Sequence, residues 1–240
     1  MIYFISDLHL GARYIADGRS HQQRVVRFLR TIAADATELY LVGDVLDYWF
    51  EYRTVVPRGY VRFFGALASL ADAGVKITWL TGNHDIWLFD YLRTELGIEV
   101  VDAPWVERTI ANRHFVIGHG DRIGRRSAGF RFICRIFRSR PLQWLYSCIH
   151  PRWTVPFAHR WSSSSRKSNY GIEDVQAHAY QVERDAAALP AADYIVLGHH
   201  HIMVDRPTPG GRLIVLGDWI DHFSYGQFDG QTFTLKTFDQ

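Results

Sequence analysis

Only two cysteines, Cys134 and Cys148, occur in 240 residues. That is too few for a disulfide framework, and their spacing is not that of a metal knuckle. They are expected as small, reduced, apolar side chains. No apolar run reaches the roughly 18 residues of a membrane-spanning helix. Residues 1–7 enter a strand and meet Asp7 with no charged-then-apolar leader, so a cytosolic protein is expected. Internal repeats and a disordered tail are missing as well. Acidic side chains are absent from one long stretch. Arg122 to Tyr170 holds eleven of the 27 Lys/Arg and none of the 25 Asp/Glu, leaving 16 basic against 25 acidic residues elsewhere. The net charge of +2 thus hides a separation that points to an anionic partner met by one face. With 48% hydrophobic residues the chain suits one folded domain, 1–240, with ample core.

The stretch Leu39 to Asp47 organises the rest. It reads as a buried strand that stops at Gly43 and presents Asp44. Four other segments share the design of an apolar run followed at once by Asp, Asn or His. They are Ile2–Ser6 into Asp7 and His9, Ile77–Thr81 into Asn83 and His84, Phe115–Gly118 into His119, and Tyr194–Gly198 into His199 and His201. In α/β sheets ligands sit at the carboxyl ends of strands, and these are hard oxygen and imidazole donors, so a metal site is the leading reading.

Strand–helix alternation is expected through the first hundred residues. Helices fall at Ser20–Ala34, at about Arg58–Ala73 closed by Gly74, and at Ile86–Leu96 closed by Gly97. A hairpin around Asn112, a helix over Glu173–Leu189 and strands at Tyr194–Leu197, Leu213–Leu216, Ser224–Phe228 and Thr232–Phe238 follow, the last two flanking an Asp229-Gly230 turn signal. The pattern predicts a four-layer α-β-β-α sandwich of two mixed sheets. Residues 122–170 fit neither pattern and are expected as an inserted helical cap. Phe130, Ile133, Cys134 and Phe137 would share one helical face opposite Arg131, Arg135 and Arg138. Trp144, Leu145, Cys148 and Ile149 would share another. Packing alone explains part of these stripes. Nine aromatics among eleven cations also suit a surface that touches lipid or a long apolar ligand.

If both flanking segments are extended, Asp7 and His9 lie on one side, as do His199 and His201, with His200 turned away. Asp44 can bridge two cations, Asn83 offers a carbonyl and His119 another imidazole. Seven ligands, one shared, suit two divalent cations that bind phosphoester oxygens and activate water.

Together Asp7-x-His9, Gly43-Asp44-x-x-Asp47, Gly82-Asn83-His84-Asp85, Gly118-His119 and Gly198-His199-x-His201 resemble the calcineurin-type metallophosphoesterases, in that family's order and over nearly the whole chain. The resemblance implies one cation on Asp7, His9, Asp44 and His201 and another on Asp44, Asn83, His119 and His199. It implies a catalytic set of His84, Asp47 and Asn83, with His84 serving the leaving oxygen and Asp47 holding its ring. The basic aromatic insert and Leu216-Gly217-Asp218-Trp219 further resemble the UDP-2,3-diacylglucosamine pyrophosphatases of lipid A synthesis, although several members carry Arg where this chain has His84. That implies attack of water on the α-phosphorus, UMP and 2,3-diacylglucosamine 1-phosphate as products, Mn2+ as cofactor, and peripheral association with the cytoplasmic face of the inner membrane. Candidate substrate contacts are Arg125, Arg126, Arg166, Lys167 and Asn169 for phosphate and sugar, Ser163 to Ser165 as hydroxyl donors, and Phe130, Phe137 and Trp144 for acyl chains.

Blander roles stand beside these. Asp47 and Asp85 could be helix N-caps; Asp47 is read as functional, Asp85 as structural, and His200 as structural. Asp218 and His222 fit a turn as well as a site. About half of the insert's arginines suit a plain solvated face, and Ser162 to Ser165 suits a hinge. A soluble phosphoesterase acting on nucleotides or phosphoproteins and a nucleic-acid-binding module are the competing functions. Stacking aromatics among arginines fit the latter, but a full ligand set argues against it, and no nucleic-acid partner is expected.

Overall fold

The computed structural model describes residues 1–124, 127–156, 158 and 175–239. Eleven strands form two mixed sheets among these residues. In the first, β1 (Ile2–Ile5), β2 (Glu38–Val42), β3 (Lys76–Leu80) and β4 (Glu99–Val101) run parallel, joined by α1 (Gly18–Ile32), α2 (Val61–Asp72) and α3 (Tyr91–Leu96). The second holds β5 (Val106–Ile110), β6 (Arg113–Gly118), β7 (Tyr194–Leu197), β8 (Met203–Thr208) and β9 (Gly211–Leu216) in the order β5-β6-β7-β9-β8. The chain then returns to the first sheet as β10 (Ser224–Phe228), antiparallel to β1, and β11 (Phe233–Thr237).

Period-two burial explains the layering. Tyr3, Ile5, Leu39 and Leu41 face α1 and α2, whereas Ile2, Phe4, Tyr40 and Val42 face the second sheet. The inter-sheet core joins them to Phe115, Ile117, Val196, Ile214 and Leu216, with Phe4 stacked on both Tyr40 (5.0 Å) and Phe115 (5.9 Å). The outer face of the second sheet packs Val116, Ile195 and Val215 on α6 (Val175–Ala186) through Ala179 and Val182. The expected four-layer α-β-β-α sandwich is therefore the fold. Parallel β1, β2, β3, β6, β7 and β9 end at one edge of the sandwich, and every motif of the sequence lies just beyond one of these ends.

Several elements differ from expectation. β4 and β8 were not foreseen: β4 has three residues, and β8 contains Pro207, which an edge strand tolerates because its N–H side can face away from the ladder. The helix expected from Ile86 begins only at Tyr91. Residues 86–90 are held irregular because Glu51 Oε2 accepts the N–H groups of Phe89 (2.6 Å), Asp90 (2.8 Å) and Tyr91 (3.2 Å). The last hairpin turns on Gly230 and Gln231, one residue later than expected. The Asp229 N–H donates to the Thr232 carbonyl, and the Asp229 carboxylate accepts from Gln231 and Thr232.

Within residues 122–170, α4 (Ala128–Phe137) and α5 (Arg140–Ser147) form the expected pair of short helices. They rest on the loops that follow β2 and β3. The Trp87 indole donates to the Phe137 carbonyl (2.8 Å) and packs on the Phe137 ring (5.6 Å), and Tyr146 meets Phe50 (4.8 Å), Trp87 (5.3 Å) and the Tyr48 hydroxyl (3.1 Å). Arg122 and Arg138 share Asp102. The inward residue of α5 is thus Tyr146. Trp144 and Leu145, expected on one shared face, are 69% and 56% exposed, and Ile133 also faces out. No helix among the described residues is long and apolar enough to cross a membrane.

Candidate metal centre

The turns beyond the strand ends are built from left-handed backbone. Asp7 (φ 56°), His9 (φ 44°), Asp44 (φ 51°), His199 (φ 67°) and His201 (φ 51°) all sit there, a conformation that Asp and His tolerate better than most residues. The extended geometry expected for Asp7-x-His9 and His199-x-His201 is therefore not the one found. β1 stops at Ile5, and alternate left-handed residues, not strand pleating, turn both side chains inward. The two loops run side by side, Asp7 N–H donating to the Gly43 carbonyl (3.1 Å) and His9 N–H to that of Asp44 (2.9 Å). Gly43 (φ 83°) is needed twice over, since any Cβ there would collide with the His119 ring.

Asp44 lies at the middle. Its Oδ2 is 3.4 Å from His119 Nε2, 3.7 Å from His9 Nε2 and 3.9 Å from His84 Nε2, and its Oδ1 accepts the His84 N–H (2.8 Å). Asp7 Oδ1 is 3.4 Å from His201 Nε2 and 3.8 Å from His9 Nε2. Its Oδ2 is held by the Ser6 hydroxyl (2.6 Å) and the His199 N–H (2.8 Å). Three overlapping trios offer ligand atoms within 4.8 Å of one another: Asp7, His9 and His201; His9, Asp44 and His84; Asp44, His119 and His199. Four buried donor atoms, Asp7 Oδ1, His9 Nε2, Asn83 Oδ1 and His119 Nε2, make no hydrogen bond. Leaving buried polar atoms unsatisfied is costly. Asp7 Oδ1, His9 Nε2 and His119 Nε2 belong to the trios around Asp44, and the mixed carboxylate, amide and imidazole chemistry of the set fits divalent cations.

Behind four of the rings the other nitrogen has a polar neighbour. His119 Nδ1 donates to the Val42 carbonyl (2.9 Å), His9 Nδ1 faces Asp47 Oδ1 (3.4 Å) and His201 Nδ1 faces Asp218 Oδ2 (3.1 Å). His84 Nδ1 meets the Asp47 backbone carbonyl (3.1 Å) more closely than its carboxylate (3.6 Å). The expected pairing of Asp47 with His84 is therefore through the main chain, and the Asp47 carboxylate lies closer to His9. Burial alone would raise the Asp44 pKa, but His119, His84 and His9 hold it well below the carboxylate range. Burial would lower His9 and His119. Asp47 and Asp7 instead lift His9 to about 9, and Asp44 lifts His119 to about 10. The pocket strongly favours positive charge.

The remaining candidates divide. Asp85, fully buried, accepts from Gly82 N–H (2.7 Å), Val45 N–H (2.9 Å) and the Trp79 indole (3.0 Å), tying the β2 and β3 loops together. Neither Asp47 nor Asp85 caps a helix. His200 turns away to His178 (3.2 Å). Phe130 is half-buried on α4, Phe137 packs on Trp87 and Trp144 faces solvent. Arg125, Arg126, Ser163 to Ser165, Arg166, Lys167 and Asn169, with the Ser162 run and the start of the Glu173–Leu189 helix, lie outside the described residues. Asp218 is one of two residues, with His222, that sequence reasoning left undecided between a turn and the site. Leu213–Leu216 into Gly217-Asp218 repeats the strand-then-carboxylate signature of the other five motifs, and that signal could have singled it out.

Similarity to known proteins agrees with this geometry. The chain is 38% identical to a Porphyromonas gingivalis protein named UDP-2,3-diacylglucosamine hydrolase, over 99% of this chain and 97% of that protein. It is 29% identical to a Ralstonia nicotianae protein of the same name, over 92% and 85%. In fold it is similar to Yfce, a phosphoesterase from E. coli, with a TM-score of 0.51 at 17% identity over 98% of this chain and 92% of that one. Residues 1–203 match the family described as Calcineurin-like phosphoesterase, and the chain belongs to that family.

Proposed function

We propose that this protein hydrolyses the diphosphate of UDP-2,3-diacylglucosamine, releasing UMP and 2,3-diacylglucosamine 1-phosphate. Supporting the reaction is the placing of Asp44 Oδ2 within 3.4–3.9 Å of three imidazole nitrogens, with further donors on either side. Supporting the substrate is the 38% identity to a protein named for it. Asp7, His9, Asp44 and His201 would hold one divalent cation and Asp44, Asn83, His119 and His199 another, Mn2+ in the cell. Such a pair supplies positive charge to the phosphoryl oxygens and acidifies water.

The side chains do the rest. Water oxygen forms the new bond to phosphorus and releases its proton to solvent, while the bridging P–O bond breaks and the departing phosphate takes the electron pair. His84, its Nδ1 held by the Asp47 carbonyl, turns its Nε2 edge toward Asp44 and can give a proton to that leaving oxygen. Residues 1–240 would act as one catalytic domain with the segment 122–170 as its cap. The cap's outward Phe132, Trp144, Leu145 and Trp153, set among Arg131, Arg135 and Arg152, suit an anionic membrane surface at the cytoplasmic face of the inner membrane.

The decisive assay presents the Mn2+-supplemented protein with UDP-2,3-diacylglucosamine in mixed micelles and follows UMP. We expect turnover that Asp44→Asn removes almost entirely. Hydrolysis of a simple aryl phosphodiester without UMP release would overturn the substrate assignment. Indifference to a chelator would overturn the cation assignment.

A further inference from the structure

Four imidazoles, His9, His84, His119 and His201, present Nε2 to the centre, and behind the first three stand Asp47 and the Val42 carbonyl, from β2 and the loop after it. The fourth, His201, depends on a residue from a different strand end. Asp218 follows β9 at Gly217 and is 1% exposed. Its Oδ2 lies 3.1 Å from His201 Nδ1. Its Oδ1 accepts three backbone N–H groups, from Ile220 (3.0 Å), Asp221 (2.8 Å) and His222 (3.1 Å), so the carboxylate cannot rotate. The turn is itself fastened to the centre, the Trp219 N–H donating to the Asp7 carbonyl (3.2 Å). His222 Nδ1 approaches the same Oδ2 at 3.3 Å from a half-exposed ring.

The structure assigns Asp218 as the positioning residue of His201: it fixes the proton on Nδ1 and so leaves the Nε2 lone pair facing Asp7. This rests on the two-cation reading of the site. A carboxylate behind an imidazole also makes it a stronger donor than a carbonyl does, so His201 gains both orientation and basicity from one contact. The alternative role, a turn cap only, makes a different prediction for one substitution. In Asp218→Asn the single carbonyl oxygen is claimed by three backbone N–H groups, so the turn is retained. The amide NH2 then faces His201 Nδ1 and donates to it. The ring proton is driven to Nε2, which points at the centre and can no longer ligate.

The test uses the full chain loaded with diamagnetic Zn2+. In wild type, long-range 15N–1H spectra are expected to show His201 protonated at Nδ1 and ligated through Nε2. In D218N, equilibrium dialysis against buffered Zn2+ is expected to show one of two cations weakened about 10–100-fold, with the other little changed and the thermal unfolding midpoint preserved. Two cations bound as tightly in D218N as in wild type would overturn the proposal, as would a wild-type His201 protonated at Nε2. Should D218N not fold, the wild-type Nδ1 proton of His201 decides: far-downfield and slow to exchange if it is bonded to Asp218, and the lack of such a signal would overturn the proposal. A wild-type protein that binds no cation fails the underlying reading instead, and both fall together.

Discussion

Burial by itself would strip the protons from His9 and His119. The carboxylates around them outweigh it and hold those protons on, to about pH 9 and about pH 10 in the cation-free protein. In an unfolded chain both rings would titrate near 6.5. A folded pKa raised above the unfolded one stabilises fully below about pH 6.5, and that stability is lost as pH rises through 9 and 10. Thermal unfolding of chelator-treated protein should therefore move to lower temperature between pH 7 and 10, whereas saturating Mn2+ should flatten the change. Ligation needs neutral imidazole, so loading at pH 7.5 should expel protons. Calorimetry in two buffers of different ionisation enthalpy reads this directly, and identical heats would count against it. The ligand types were legible in the sequence because glycine followed by Asp, Asn or His at a strand end is a local pattern. The left-handed backbone at five of them was not, because that sign of φ is imposed by how two loops pair across the sheet edge.

Between residue and fold stands Glu51, which joins the loop after β2 to the N-terminus of α3. It is 5% exposed, and it accepts three backbone N–H groups and the Trp49 indole (3.1 Å). Glu51→Gln must turn an NH2 toward some of those donors, and the expected loss is about 2–4 kcal/mol of folding stability, from hydrogen bonds to a charged acceptor. Urea unfolding measures it, and a change under half that size would show the contact to be minor. The same residue explains why a helix expected from Ile86 starts at Tyr91: local periodicity favoured helix, and a side chain distant in sequence claimed the N–H groups. β4 was too short to leave a periodic trace, and β8 was obscured by Pro207, which in isolation argues against a strand. By contrast β1, β2, β3, β6, β7 and β9 were plain, since strands buried on both faces read as unbroken apolar runs.

For the molecule as a whole, the concentration of cations in one segment was visible from counting alone, and so was its helical character. Which aromatics face out was not, because α4 and α5 are apolar on more than one side and only the seat on Phe50 and Trp87 decides. Trp144 and Trp153, 69% and 70% exposed, can be replaced together by alanine at little expense to the core. The double variant should bind vesicles containing anionic lipid about tenfold or more weakly, since partial insertion of each indole contributes on the order of 1 kcal/mol. Sedimentation with vesicles of defined anionic content measures this, and unchanged binding would overturn the membrane reading of this face. A last consequence concerns how such a chain can diverge. Five of the donors occupy a backbone state congenial to aspartate, asparagine, histidine and glycine and hostile to branched side chains. Mutational drift at these places is confined to a narrow alphabet whatever ion is selected. A redesign that seeks thiolate or glutamate coordination would have to rebuild the loops first and choose the donors afterwards.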